Sequence, residues 1–233
     1  MREIVFDTET TGFDPFAGDR LVEIGCVEVE NFLPTGKVFH KYVNPERDMP
    51  EGAFRIHGLS AEYLKGFPVF SEIYAEFIDF VGDSKLVAHN ASFDMKFINW
   101  ELKQVGHKEY DNNRAVDTLE IARRKFPGSP NTLDALCKRF SIDNSNRVKH
   151  GALLDAELLA EVYLELRGGR QRGLELGGQE NSAMMQGQKG NKEQVFREAR
   201  PHRASDAELE RHAAFVVSLG DEALWNNMKK PRT

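Results

Sequence analysis

An α/β sandwich, a mixed sheet flanked by helices, is the fold class that this 233-residue sequence predicts, on three observations. Three strand-like segments crowd the first 45 positions, as a meander would. Strand-like and helix-like segments then alternate. A hydrophobic content of 40%, with 16 Phe, is enough to bury a sizeable core between the layers.

The elements follow in order. Glu3–Asp7 (EIVFD) reads as a short buried strand. Leu21–Glu30 and Lys37–Val43 read as two more, and the short loop between them predicts an antiparallel pair. A helix is expected over Phe70–Val81, where Phe70, Ile73, Phe77 and Phe80 recur on one face. Lys85–His89 is a fourth strand, and Ser92 is a plausible N-cap for a helix to Val105. A fifth strand at Ala115–Thr118 leads into a helix that Pro127-Gly128 stops after Phe126. Asn131 is expected to cap the next helix, through Phe140. The last core helix runs from Ala152 to Arg167, with Leu154, Leu158, Val162 and Leu166 along one face.

After Arg167 the composition changes. Residues 168–190 hold 7 of the 19 glycines and few large apolar residues, so 168–194 reads as a flexible linker between a 1–167 domain and a 195–233 segment. In that segment Ser205 could cap an amphipathic helix with Leu209, Ala213, Val216 and Val217 on one side, beside Phe196, Phe215 and Trp225. Two readings fit: a tail that orders against a partner, or a helix that packs back on its own core.

Composition excludes several classes. No apolar run is long enough to span a bilayer, and the opening MREIVFD has no signal-peptide apolar stretch, so a cytoplasmic location is expected. Cys26 and Cys137 are far apart and suit neither a disulfide framework nor a zinc site; reduced, buried thiols are the simpler reading. The net charge of −6 argues superficially against nucleic acid. It is uneven, however. Residues 168–233 carry 11 Lys and Arg against 9 Asp and Glu, leaving 20 against 28 in residues 1–167. An acidic domain can still handle a phosphate backbone when its carboxylates hold divalent cations.

Three motifs carry candidate chemistry. Asp7-Thr8-Glu9 follows the first strand, and on an extended backbone residues i and i+2 share a face, so both carboxylates project together. His89-Asn90-Ala91-Ser92-Phe93-Asp94 leaves the fourth strand for a helix and puts Asp94 in its first turn, where a purely local helix-dipole role would also account for it. His150-Gly151-Ala152-Leu153-Leu154-Asp155 repeats the arrangement at the last core helix. Singly each pattern is cheap. Jointly they let four carboxylates meet above one sheet edge, a donor set that suits Mg²⁺ or Mn²⁺. Two such ions can orient a phosphodiester and activate water, with a neutral His beside the water as general base. The residues thus read as a two-metal phosphodiesterase.

Asp7-Thr8-Glu9-Thr10-Thr11-Gly12, His89-Asn90-x3-Asp94 and His150-x4-Asp155 resemble the three exonuclease motifs of the DEDD superfamily, and within it the epsilon-type proofreading subunits of bacterial DNA polymerase III. The resemblance spans about residues 2–167, including Phe54-Arg55-Ile56-His57-Gly58 and Thr132-Leu133-Asp134-Ala135-Leu136-Cys137. It implies a ribonuclease-H-like mixed five-stranded sheet and a 3′–5′ exonuclease. By the resemblance, Asp7, Glu9, Asp94 and Asp155 would hold two divalent ions and His150 would be the base. Thr10, Ile56 and His57 would lie against the terminal nucleotide, with Asp7, Glu9 and Asp155 also near it. Asn90 would support the site, and His89 would orient groups. Gly151 stands four residues before Asp155, where the tyrosine branch has Tyr, so the histidine branch is indicated. One departure lies at Pro50-Glu51-Gly52-Ala53, where the acidic residue that helps hold the terminal nucleotide is shifted by one position. Implied partners are a frayed or single-stranded 3′ end of DNA, the polymerase's alpha catalytic subunit through 195–233, and a small theta-like subunit. Gln171, Leu174 and Leu176 match the Q-x-x-L-x-L pattern of sliding-clamp peptides, or are simply linker. The alternatives are an oligoribonuclease-like or RNA-trimming nuclease, and a non-catalytic polymerase–clamp adaptor.

Overall fold

The structure, a computed structural model, describes residues 1–147, 149–169 and 204–219. β1 (Arg2–Thr10), β2 (Leu21–Glu30) and β3 (Leu33–Tyr42) form the antiparallel meander. β4 (Lys85–Ala88) and β5 (Ala115–Asp117) join parallel to β1, giving the sheet order β3-β2-β1-β4-β5. Two short helices precede β4, α1 (Glu51–His57) and α2 (Ala61–Leu64), followed by α3 (Phe70–Val81). After β4 come α4 (Ala91–Gln104), α5 (Thr118–Lys125), α6 (Leu133–Phe140) and α7 (Ala152–Leu166).

Strand alternation divides the core in two. Ile4, Phe6, Ile24 and Cys26 pack with Phe70, Ile73 and Phe77 of α3 and Phe97 and Ile98 of α4. Val5, Val27, Val29 and Val87 face the other way, against Leu136 of α6 and Leu159, Val162 and Tyr163 of α7. Each fully buried side chain of this kind contributes about 1.5–3 kcal/mol, so both helical layers are held firmly to the sheet. Both cysteines are buried and free, and burial pushes both thiols up, which leaves them unreactive. Among the described residues no helix is long and apolar enough to cross a membrane.

The structure corrects several sequence expectations. β1 continues through Thr10, so Asp7 and Glu9 lie within the strand and not beyond it. β3 starts at Leu33 and not Lys37, because Asn31 and Phe32 make a two-residue turn with φ of 52° and 71°. A Phe in the left-handed region is no turn signal in a sequence. The cap of α4 is Asn90, whose left-handed φ of 70° reverses the chain directly after β4, and not Ser92. Thr132 caps α6 by accepting from the Ala135 N–H at 3.3 Å, while the Asn131 amide closes the preceding loop on the Ser129 carbonyl at 2.9 Å. α1 and α2 are too short for periodicity to reveal.

Asp206–Ser218 forms α8, part of a second compact unit. Ser205 begins it, with the Glu208 carboxylate accepting from the Ser205 N–H at 2.8 Å, and Leu209, Phe215 and Val217 are exposed. Gln171, Leu174, Leu176, Phe196, Trp225 and most of the 168–194 stretch lie outside the described residues.

Candidate active site

The crevice forms because β1 outlasts its parallel neighbour. Of β1, only Glu3, Ile4 and Val5 pair with β4, which ends at Ala88, where the chain turns into α4. Asp7, Thr8 and Glu9 stay paired on the other side, to Gly25, Ile24 and Glu23 of β2. The far half of β1 therefore borders an open cleft at the strand ends, where α/β sheets bind ligands.

Alternation along β1 then sorts the side chains. Thr8 lies on the α4 face, and its hydroxyl donates to Asp94 Oδ1 at 2.7 Å, pinning that carboxylate at the start of α4. Asp7 and Glu9 share the α7 face with Val5. What lets α7 reach them is Gly25, the partner of Asp7. A Cβ at Gly25 would stand 2.2 Å from Leu153 N and 2.3 Å from Ala152 C, so the first turn of α7 lies on bare β2 backbone. Gly25→Ala must push that turn off the sheet and Asp155 away from Asp7. Its expected cost is about 2 kcal/mol or more in urea unfolding, with a marked loss of whatever activity the crevice carries. An Ala variant with wild-type stability and rate would show that the close approach is dispensable.

His150 precedes α7, and its backbone N–H donates to the Ile56 carbonyl at 3.2 Å, tying the motif to α1. Its half-exposed ring stands with Nδ1 3.3 Å from Asp155 Oδ2. Asp155 is almost wholly buried, as are Glu9 and Asp94.

Burial and crowding dominate the electrostatics. Desolvation, followed by the neighbouring charges of Asp94, Glu9 and Asp155, holds the Asp7 carboxyl well above the usual range. The same causes, burial first and Asp155 next, push Glu9 up to about 8. Burial also raises Asp94, against the Thr8 hydrogen bond. A cluster that resists ionisation in this way is relieved by added positive charge. Glu9, His150 and Asp155 each offer a ligand atom within 4.8 Å of the others. Hard oxygens, buried repulsion and this convergence fit a divalent cation.

The other expected site residues line a groove of about 610 Å³ that opens on Asp7 and Glu9. Ile56 is exposed there, and Thr10 donates to the Gly12 carbonyl at 2.6 Å. His57 is buried, accepts from the Leu59 N–H on Nδ1 at 3.0 Å, and has no hydrogen-bond partner on Nε2. Burial lowers its pKa, against the Glu23 charge and a contact with the Thr10 backbone. Asn90 lines the same groove, while its backbone N–H donates to Asp117 at 3.0 Å. His89 Nδ1 is 2.9 Å from the Thr118 hydroxyl, an orienting contact. Glu51 is exposed, ion-paired with Arg55 and absent from the groove lining, whereas Gly52 lines it.

Sequence reasoning missed Thr8, Gly25 and Arg147. Arg147 sits in the α6–α7 connection, yet its side chain is largely covered against Asp155, and no pattern in the sequence announces it.

A five-stranded sheet of this topology, with four carboxylates and a histidine gathered where β1 outruns β4, defines an exonuclease-class nuclease of ribonuclease-H-like fold. A family model described as Exonuclease (RNase_T) matches residues 4–163. Over 225 residues the chain is 50% identical to the DNA polymerase III subunit epsilon of Rickettsia felis, covering 94% of this chain and 97% of that one. Over 237 residues it is 41% identical to its Escherichia coli counterpart, covering 96% and 97%. The chain belongs to this exonuclease family and, within it, to the epsilon subunits of DNA polymerase III. Among solved structures, the nuclease domain of 3′hExo, a DEDDh family member bound to rAMP, superposes with a TM-score of 0.60 at 18% identity over 73% of this chain and 94% of that one. Exonuclease X in complex with 5′ overhanging duplex DNA gives 0.54 at 24% identity, over 71% and 89%. Both share the fold.

Proposed function

We propose that this chain is the proofreading 3′–5′ exonuclease of a replicative DNA polymerase, removing mispaired 3′-terminal nucleotides by phosphodiester hydrolysis. The observation that carries the reading is the convergence of Asp7, Glu9, Asp94, Asp155 and His150 at one crevice, in a chain similar to epsilon subunits over nearly their whole length. Asp7, Glu9, Asp94 and Asp155 would hold the divalent ions, two Mg²⁺ or Mn²⁺. Bound there, the ions supply nucleophile activation and charge stabilisation at the leaving 3′ oxygen. His150 takes the proton of the attacking water. Ile56, His57 and Thr10 lie against the terminal nucleotide, and Asn90 supports the groove around it. Entry requires an unpaired end, and a mismatch has already lost much of its pairing free energy.

The segment 195–233, with the exposed apolar residues of α8, docks on the polymerase's alpha catalytic subunit. Residues 168–194 act as the tether, and Gln171, Leu174 and Leu176 engage the sliding clamp weakly. Digestion of 3′-labelled matched and mismatched DNA, beside short RNA, tests the core reading. Mispaired ends should be degraded several-fold faster. Equal rates, or preference for short RNA, would point to an RNA-trimming enzyme instead. Deleting everything after Arg167 should leave the nuclease intact and abolish co-purification with the alpha subunit; retention at full affinity would overturn the tail's role.

A further inference from the structure

Arg147 lies at the crevice and has no task in the proposed chemistry. It lies on the α6–α7 connection, yet its side chain is only 8% exposed. Its guanidinium meets three side chains. Nε and Nη2 grip both oxygens of Asp155 at 2.6 and 2.7 Å. Nη1 meets both oxygens of Asp134 at 2.9 Å, and Nη2 also lies 2.8 Å from His150 Nδ1. Asp155 is buried, whereas Asp134, at the start of α6, is largely exposed. The arginine thus bridges an outer anchor and an inner carboxylate, a two-pronged geometry that a carboxylate accepts especially well.

Two consequences follow from charge and position. The guanidinium's fixed positive charge opposes the repulsion at Asp7 and Glu9, as a bound cation would. It also uses the two Asp155 oxygens and the His150 nitrogen, and Asp155 and His150 belong to the trio whose ligand atoms converge within 4.8 Å. A guanidinium seated there repels any dication approaching the same carboxylate.

We propose that Arg147 is the resident counter-cation of this site and competes with the divalent metal for Asp155. Loading the site requires its guanidinium to leave Asp155 while Asp134 retains it. That release also frees the His150 ring, so metal binding and exposure of the base are one event. The proposal rests on the reading of Asp155 as a metal ligand.

The test is Mn²⁺ binding to the full-length protein without nucleic acid, read by electron paramagnetic resonance of the free ion, together with melting temperature in EDTA. Arg147→Gln should bind Mn²⁺ about tenfold more tightly or better, since an opposing unit charge is gone. It should melt lower than wild type in EDTA, and saturating Mn²⁺ should narrow the difference. Arg147→Lys, which keeps the charge but cannot span both oxygens and His150, should fall between the two, and it decides the question with the same signs if the Gln variant does not fold in EDTA. A variant that binds Mn²⁺ no better than wild type overturns the proposal, because an arginine that merely positions Asp155 would lower affinity when removed. Asp155→Asn separates the two levels. If it binds Mn²⁺ like wild type, the ligand reading itself fails. If it loses Mn²⁺ while the Arg147 variants gain nothing, only the competition fails.

Discussion

Asp7→Asn should remove nearly all nuclease activity, by about 10³-fold or more, and at the same time make the protein more stable in EDTA at alkaline pH. The first effect follows from the proposed ligand role: the metal's charge stabilisation is worth several kcal/mol, and each 1.4 kcal/mol is tenfold in rate. The second follows from the crowding of Asp7 with Asp94, Glu9 and Asp155 under burial. For a carboxyl raised by folding, the sign is fixed. The folded state holds its proton more tightly than the unfolded chain does. Its stability contribution is complete below the unfolded value near 4.5 and is lost as pH rises through the folded value, about 8 for Glu9. Wild type in EDTA should therefore melt at falling temperatures between pH 5 and 9, and Mg²⁺ or Mn²⁺ should reverse the fall. In Asp7→Asn one repelling carboxyl is gone, so the decline should be shallower. Melting curves in EDTA over that range check it. An Asn variant that keeps activity, or declines as steeply as wild type, contradicts the account.

His150→Gln should lower kcat by about 10² or more, within the usual range for a general base, while Mn²⁺ affinity stays near that of wild type. The two readouts are needed together because the geometry permits a second role: His150 also belongs to the trio with Glu9 and Asp155 that could share a cation. Steady-state rates at saturating metal, beside a Mn²⁺ titration, separate base from ligand. Affinity that collapses with the rate would make His150 a ligand, and an unchanged kcat would remove it from the chemistry. The ring is half-exposed, so its replacement removes no core packing.

The three motifs were legible because each is local. Asp7 and Glu9 share a face by strand period, and Asp94 and Asp155 begin helices that apolar periodicity reveals. The five strands and the five longer core helices were found for the same reason, with ends misplaced by a few residues where a cap or turn departed from common chemistry, as at Asn90, Thr132 and Asn31-Phe32. The short helices around Arg55 and Tyr63 left too brief a period to read.

Sequence by itself thus determined the layers of this protein, the order of its elements and the carboxylates and histidine of its crevice, since hydrophobic period and short motifs act within one element. Tertiary structure alone decided that β1 would outrun β4 and open the cleft, that the bare backbone of Gly25 would admit α7, that Thr8 would hold Asp94, and that Arg147 would reach Asp155. Each of these is a contact between elements distant along the chain or set by how a connection folds back. Its energy depends on close packing and charge in three dimensions, which no local pattern encodes.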